Sequence, residues 1–498
     1  MAKILFLNPY AESDYGRQSI PLSLIFTLLK KNGHECELFD TTFLDNDFLR
    51  ENRPNHDLEL KKLKFFKEWD NNFFKKKKEG DVISLFQSKI DEFKPDIITF
   101  SFWGSHLHAE GEYFAFENGL KIINSVKINS SVKIIVGGTI PSSKPSEVLL
   151  KNQIINYIIK GESELVYLDI ANFIDQNKDL NEVDNLCYLK DDKIRINNLR
   201  PLIDPLDILP DVQMSMFDDR NFYRPFHGKI VRMVDFELSR GCWYRCTFCL
   251  SPFQREVVYK KAKNFRREKS IEKIIREISN LKKDLKLDFI RYQDESFNSI
   301  SESKLKELSV AYKRHVNLPF IIEATINTST ENKIKYLSNM GCASVGLGIE
   351  SGSERLRKDV IIKPPFSNKQ AIEVIKCYKK YGISVTAYNI IGFPTETEED
   401  LWETINLNYK AKPNFSTVSY FQPWEGTALK KSTIADGILD KKYLKDNFSP
   451  GQQGNTILNL DKISKKDLKH YHDNFQNYVK YPKISYKFIK KFKQILDI

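Results

Sequence analysis

Residues 240–250, RGCWYRCTFCL, gather Cys242, Cys246 and Cys249, three of the chain's seven cysteines, in a C-x3-C-x2-C spacing. Clustered thiols pair as disulfides, ligate a structural ion, or hold a reactive metal centre. Disulfides need an oxidising compartment, yet the opening MAKILFLNPY is too short an apolar run for a secretion signal, and no run reaches the roughly 18 residues of a membrane span. A cytoplasmic protein with reduced thiols is therefore expected. Structural zinc wants a fourth protein ligand, and the later cysteines, Cys342 and Cys377, do not stand in a paired-ligand spacing. Three thiolates that leave one position open suit an iron–sulfur cluster with one iron free for an outside ligand.

Such a loop needs a scaffold. Downstream of it, DFIRYQDESF, FIIEATIN, ASVGLGIESG, SVTAYNIIGFP and FSTVSYFQPWEG read as strands alternating with helical segments such as SIEKIIREISNLKKDLK. With VDFELS just before Arg240 these make six strand–helix units, which predicts a partial (β/α)6 TIM-like barrel with chemistry at the carboxyl ends of its strands. Upstream, KILFLNP, HECELFD, PDIITFSF, VKIIVGG and YIIKGESE alternate with helical segments. They predict an N-terminal Rossmann-like doubly wound parallel sheet, an α/β domain whose ligand lies beyond the carboxyl strand ends. The expected boundaries are 1–180 for this domain, with a helical insertion at about 45–90, a proline-rich linker at 181–230, the barrel at 231–430, and a basic, helical C-terminal region at 431–498.

The three cysteines, with aromatic Phe248 before the last, match the C-x3-C-x-aromatic-C signature, and on them the chain resembles the radical S-adenosylmethionine (SAM) superfamily. QDESF, GLGIESGSERLR, IIGFPTETEEDL and PWEGTAL extend the resemblance to the subgroup shared by cobalamin-dependent radical enzymes and tRNA methylthiotransferases. The pattern ILFLNP…PLSLIFTLLKKNGHECELFD…PDIITFS…IIVGGTIPSSKPSEVL…IIKGESE resembles the cobalamin-binding domain that precedes the barrel in one large class. Together these cover roughly residues 1–430. The methylthiotransferases match less well, because they carry three more cysteines in their N-terminal domain and only Cys36 and Cys187 precede the motif here. The Asp-x-His-x-x-Gly motif of other cobalamin proteins is missing, as it is in most cobalamin-dependent radical SAM enzymes; SDYGRQS stands after the first strand.

The resemblance implies a [4Fe-4S] cluster on Cys242, Cys246 and Cys249, SAM chelated at its free iron, and a 5′-deoxyadenosyl radical that takes hydrogen from substrate. It implies SAM contacts from Phe248, Asp294 with Glu295 as alternate, Glu323, Gly348, Glu350, Ser351 and Gly392, Gly348 and Gly352 letting backbone approach. For the cobalamin floor, position at strand ends selects Asn8, Pro9, Ser101, Gly137, Gly138 and Glu162. With both cofactors, methylation of an unactivated carbon through methylcobalamin is expected. The alternatives are radical cyclisation, rearrangement or oxidation with the same cofactors, a tRNA-modifying enzyme, and a non-catalytic binding protein.

The net charge of +11 comes from 77 Lys and Arg against 66 Asp and Glu, and residues 461–498 alone supply +6. That concentration reads as solvated faces, so nucleic acid is not expected as a partner. A small-molecule, peptide or lipid substrate is expected, with an electron donor such as flavodoxin or ferredoxin. Phe488, Phe492, Ile495 and Leu496 share one helical face ringed by lysines, suited to capping the barrel or to peripheral membrane contact. His106 and His108 in GSHLHAE resemble a metal pair but have no third ligand nearby in sequence, and read as an ordinary helix start.

Overall fold

A computed structural model describes residues 1–9, 18–44, 81–101, 109–260, 262–440, 443 and 455–482. Most of the expected insertion, His106, His108 and the Phe488–Leu496 face lie outside the described residues. The chain forms two compact units, residues 1–241 with 254–293, and residues 242–253 with 294–498.

In the first unit, β1 (Lys3–Asn8) is buried on both faces, as a continuous apolar run in a central parallel strand should be. Helix α1 (Ile20–Lys31) starts where the Ser19 side chain accepts the Leu22 N–H. The elements β2 (Glu35–Asp40), α2 (Val82–Phe93), β3 (Ile97–Phe100), α3 (Ala109–Asn124), β4 (Lys133–Val136), β5 (Tyr157–Ile159) and α4 (Glu164–Asp175) follow. The strands pair in parallel in the order β2-β1-β3-β4-β5, so the winding reverses between β1 and β3. That reversal is the switch point where doubly wound sheets take ligands.

The expected linker is not all irregular. It opens with β6 (Leu186–Lys190) and β7 (Lys193–Ile196), an antiparallel hairpin that extends the sheet. Its turn is Asp191-Asp192, both at positive φ, as two-residue hairpin loops require. Next come β8 (Tyr223–Phe226), antiparallel on β9 (Lys229–Phe236), the short pair β10 (Ser239–Arg240) and β11 (Arg267–Glu268), helix α5 (Ile271–Leu285) and β12 (Phe289–Tyr292), parallel on β9.

The second unit holds α6 (Glu302–His315), β13 (Phe320–Ala324), α7 (Glu331–Met340), β14 (Cys342–Glu350), α8 (Asn368–Lys380), β15 (Ser384–Ile391), α9 (Glu398–Ala411) and β16 (Phe415–Tyr420). The strands β13-β14-β15-β16 are parallel. Each helix begins at a side-chain cap, Ser301, Thr330, Ser367 and Thr397, the last with Asp400 as a full capping box. Of the six strands expected for the barrel, β13, β14, β15 and β16 lie in the second unit, and β9 and β12 lie in the first. In the C-terminal region α10 (Lys465–Lys480) places Leu468, Tyr471, Phe475 and Tyr478 on one stripe, packed against Ile391, Trp402, Ile405 and Tyr420. Among the described residues no helix is long and apolar enough to cross a membrane.

Candidate active site

All seven cysteines are free thiols. The cysteine segment is anchored by backbone of its own unit: Thr247 donates its N–H to the Ile361 carbonyl at 2.9 Å and its hydroxyl to the Val360 carbonyl at 2.7 Å, and the Leu429 N–H donates to the Thr247 carbonyl at 3.0 Å. Within it the Cys249 N–H reaches the Cys246 carbonyl at 3.1 Å, and the Ser251 N–H reaches Cys249 Sγ at 3.4 Å. Burial pushes the Cys249 thiol well above its ordinary pKa, and the nearby Cys246 and Cys242 push it further, with Glu295 adding to them. Thiolates that repel one another in a half-buried loop are stabilised by a cationic centre among them, so the donor set fits a metal cluster. Among the described residues no three His, Cys, Asp or Glu side chains gather as a single-ion site.

Beside the thiols lies a buried ion pair, Lys363 Nζ to Glu350 Oε1 at 3.0 Å. Burial alone would lower the Lys363 ammonium, but Glu350 and then the Cys246 and Cys249 thiols hold it above its ordinary value. In turn Lys363 offsets the effect of burial on Cys246. A Cβ on Gly348 would run into the Glu350 carboxylate and come within 3.1 Å of Lys363 Nζ. The space at Gly348 therefore belongs to this pair. Lys363 is absent from the sequence-derived site; its only signal is a lone lysine in IIKPP just after a helical stretch.

Other expected SAM contacts divide. Glu295 carries its charge close to Cys249, whereas Asp294 is fully buried. Ser351 is also fully buried, its hydroxyl 3.3 Å from that of Thr404, and a Cβ on Gly352 would lie 2.5 Å from the Thr404 Cα. Both serve contact with α9. Phe248 packs edge-on to Phe393 at 6.1 Å, within a core that includes Leu356, Phe421 and Leu429. Gly392 and Phe393 donate their N–H groups to the carboxylate of Glu396, a fully buried side chain. On β13, Phe320 packs on Tyr312 of α6, so Glu323, an odd number of residues along, faces away from that helix. There its Oε1 accepts the Tyr388 hydroxyl at 3.2 Å across Gly346, where a Cβ would lie 2.8 Å from the Glu323 carboxyl carbon. Gly346 precedes Glu350 by four residues on β14, roughly 13 Å of strand, so Glu323 sits a full layer below the ion pair.

At the carboxyl edge of the first sheet, Ser101, Gly137 and Gly138 come together. Gly137 donates its N–H to the Ser101 carbonyl at 3.1 Å, and a Cβ on Gly138 would lie 2.8 Å from Ser101 Oγ. Asn8 instead donates its side-chain amide to Asp40 at 3.0 Å, and the Pro9 carbonyl accepts from Asn118 at 3.3 Å. Glu162 is bound to arginines: Arg267 grips it through Nη2 at 2.8 Å and Nη1 at 2.9 Å, and Arg240 stands 3.6 Å away. Burial would raise its carboxyl pKa, but these arginines hold it below the ordinary range.

Residues 236–407 match the Radical SAM superfamily model, and this part of the chain is a radical SAM domain. Among curated proteins the chain is 27% identical over 354 residues to an uncharacterized methyltransferase of Pyrococcus horikoshii, covering 70% of this chain and 72% of that one. It is 25% identical over 408 residues to the anaerobic magnesium-protoporphyrin IX monomethyl ester cyclase of Rubrivivax gelatinosus, covering 80% and 69%. Among solved structures it is similar to the radical SAM methyltransferase TsrM of Kitasatospora setae, with cobalamin and a [4Fe-4S] cluster bound, at TM-score 0.63 and 16% identity over 88% of this chain and 75% of that one. The cobalamin-dependent SAM radical enzyme OxsB matches at TM-score 0.58 and 17% identity over 82% of this chain and 52% of its own. These likenesses are of fold, an α/β architecture of parallel-rich sheets with a curled half-barrel.

Proposed function

We propose that the protein is a cobalamin-dependent radical SAM enzyme that methylates an unactivated carbon. The observation that carries this reading is the anchored loop of three thiols with a buried Lys363–Glu350 pair beside it, inside a radical SAM domain. Cys242, Cys246 and Cys249 would hold a [4Fe-4S] cluster, which when bound supplies an electron to SAM at its open iron. Lys363 and Glu350 offer opposite charges suited to the carboxylate and ammonium groups of SAM, and Glu295 a further carboxylate. Ser101, Gly137 and Gly138 form the part of the sheet edge that would lie under cobalamin. Glu323 and Tyr388, a layer below, would orient the substrate.

Support for methylation comes from the relative in Pyrococcus and the fold shared with TsrM. A second reading, radical ring closure without methyl transfer, is favoured by the similarity to the Rubrivivax cyclase. The test is anaerobic reconstitution of protein expressed with cobalamin, followed by iron, cobalamin and 5′-deoxyadenosine assays and mass analysis of products. About four irons and one cobalamin per chain, with a product heavier by about 14 Da, is the expected result. Cluster formation without cobalamin binding would overturn it, and an oxidised or cyclised product would favour the second reading.

A further inference from the structure

We infer that the Gly161–Glu162 turn at the end of β5 is the stem on which the cysteine segment is mounted, and that Glu162 and Tyr259 are positioning residues for the cluster. This rests on the proposed function only in taking the three thiols as cluster ligands.

The chain leaves the first unit after Gly241 and re-enters it at Gln254, and Arg240 and Tyr259, outside that stretch on either side, meet the same turn. On the outgoing side, Arg240 binds Glu164 at 2.6 Å and Glu237 at 2.8 Å, and stands 3.6 Å from Glu162. Its short strand β10 is paired with β11, whose Arg267 grips Glu162 with two hydrogen bonds. Arg267 also donates to the Ile203 carbonyl at 2.8 Å, and the Ile203 N–H donates to Glu162 at 2.8 Å. On the returning side, the Glu162 N–H donates to the Tyr259 hydroxyl at 2.5 Å. Gly161, at φ 90, leaves space for that ring; a Cβ there would lie 3.0 Å from Tyr259 Cζ. Gly241, at φ 87, is likewise crowded, its Cβ position lying 2.9 Å from the Phe265 carbonyl carbon.

One carboxylate and one backbone N–H thus fix both ends of a segment of 18 residues, 241–258, that carries all three thiols. An Arg–carboxylate fork constrains direction as well as distance, which a single hydrogen bond does not. Cluster ligands must be held to within about 0.5 Å of productive geometry, so a stem of this kind sets how well the loop is preorganised. Glu162 is half-buried, its side chain 17% exposed, and both its carboxylate oxygens are taken by these contacts, which assigns it to the loop rather than to a ligand above the sheet.

The experiment uses full-length protein expressed with cobalamin and reconstituted anaerobically, as wild type, Glu162→Gln, Glu162→Asp and Tyr259→Phe. Iron and cobalamin per chain are measured, with the low-temperature EPR spectrum of the dithionite-reduced protein before and after SAM. Expected for Glu162→Gln is at least a twofold loss of iron or a changed EPR line shape at wild-type cobalamin content, with a smaller change of the same kind in Tyr259→Phe and partial recovery in Glu162→Asp. Should Glu162→Gln fail to fold by circular dichroism, Tyr259→Phe decides alone. Wild-type iron and EPR in the folded variants, or loss of cobalamin with the cluster intact, overturns the inference. If wild-type protein takes up no cluster, it is the proposed function that fails.

Discussion

Glu396 offers a test of the site's electrostatics that needs no cofactor. Its carboxylate is fully buried beneath the Gly392–Phe393 backbone, with Oε2 taking both N–H groups and Oε1 without a hydrogen-bond partner among the described residues. Burial pushes its pKa from 4.5 up to about 8, against the two N–H groups and Arg355, which lower it, and with Asp400, which raises it. A carboxyl whose folded pKa is raised stabilises the fold fully below the unfolded value of 4.5, and this stability is lost as pH climbs through 8. The two values lie about 3.5 pH units apart, so at about 1.36 kcal/mol each the loss approaches 5 kcal/mol, an order-of-magnitude figure. Glu396→Gln keeps the shape and hydrogen bonds of the protonated form and cannot ionise. In urea titrations it should match wild type within about 1 kcal/mol at pH 5 and exceed it by several at pH 9. An equal difference between the two proteins at both pH values would refute the argument, since a packing effect alone does not follow pH.

Lys363→Met strands the Glu350 carboxylate beside the thiols and should cost about 3–5 kcal/mol, with the double variant Lys363→Met/Glu350→Gln recovering part of it in the same titrations. Gly352→Ala places a methyl 2.5 Å from the Glu403 carbonyl carbon and should cost about 1–3 kcal/mol, read as a lowered melting temperature. Tyr471→Phe removes the hydroxyl that donates to Glu398 and accepts from Trp402 Nε1 at 3.1 Å; a loss of about 1–3 kcal/mol and faster proteolysis of α10 are expected.

The parallel strands were legible because each is an apolar run between turn residues, and burial of both faces leaves no other pattern for β1 or β3. The β6–β7 hairpin was not, since β7 is only four residues long and mostly exposed, so its Ile194–Ile196 alternation buries no face. At the site, the cysteine spacing alone singled out the three thiols, because thiols in that pattern have few other uses. Glu162 showed what strand-end position leaves out: it looked like a ligand group, but Arg267, 105 residues away in sequence, claims it. Asp294 and Glu295 differ by one residue at the start of a loop, where alternation no longer says which side chain turns toward Cys249. Lys363 lies beyond any periodic element, so only the folded chain brings it to Glu350.

The anchoring of Thr247 to Val360 across 113 residues bears on how the protein matures. At about 5–20 residues per second the ribosome needs roughly 6 to 23 seconds to synthesise the stretch between them. Through that interval the three thiols exist as nascent chain, without the backbone partners that later bury them, and are open to oxygen and to stray metal. Insertion of iron and sulfur is thereby assigned to a step after β14 and the turn beyond it have emerged, and the yield of active protein should depend on how reducing the cell is while the chain is being made.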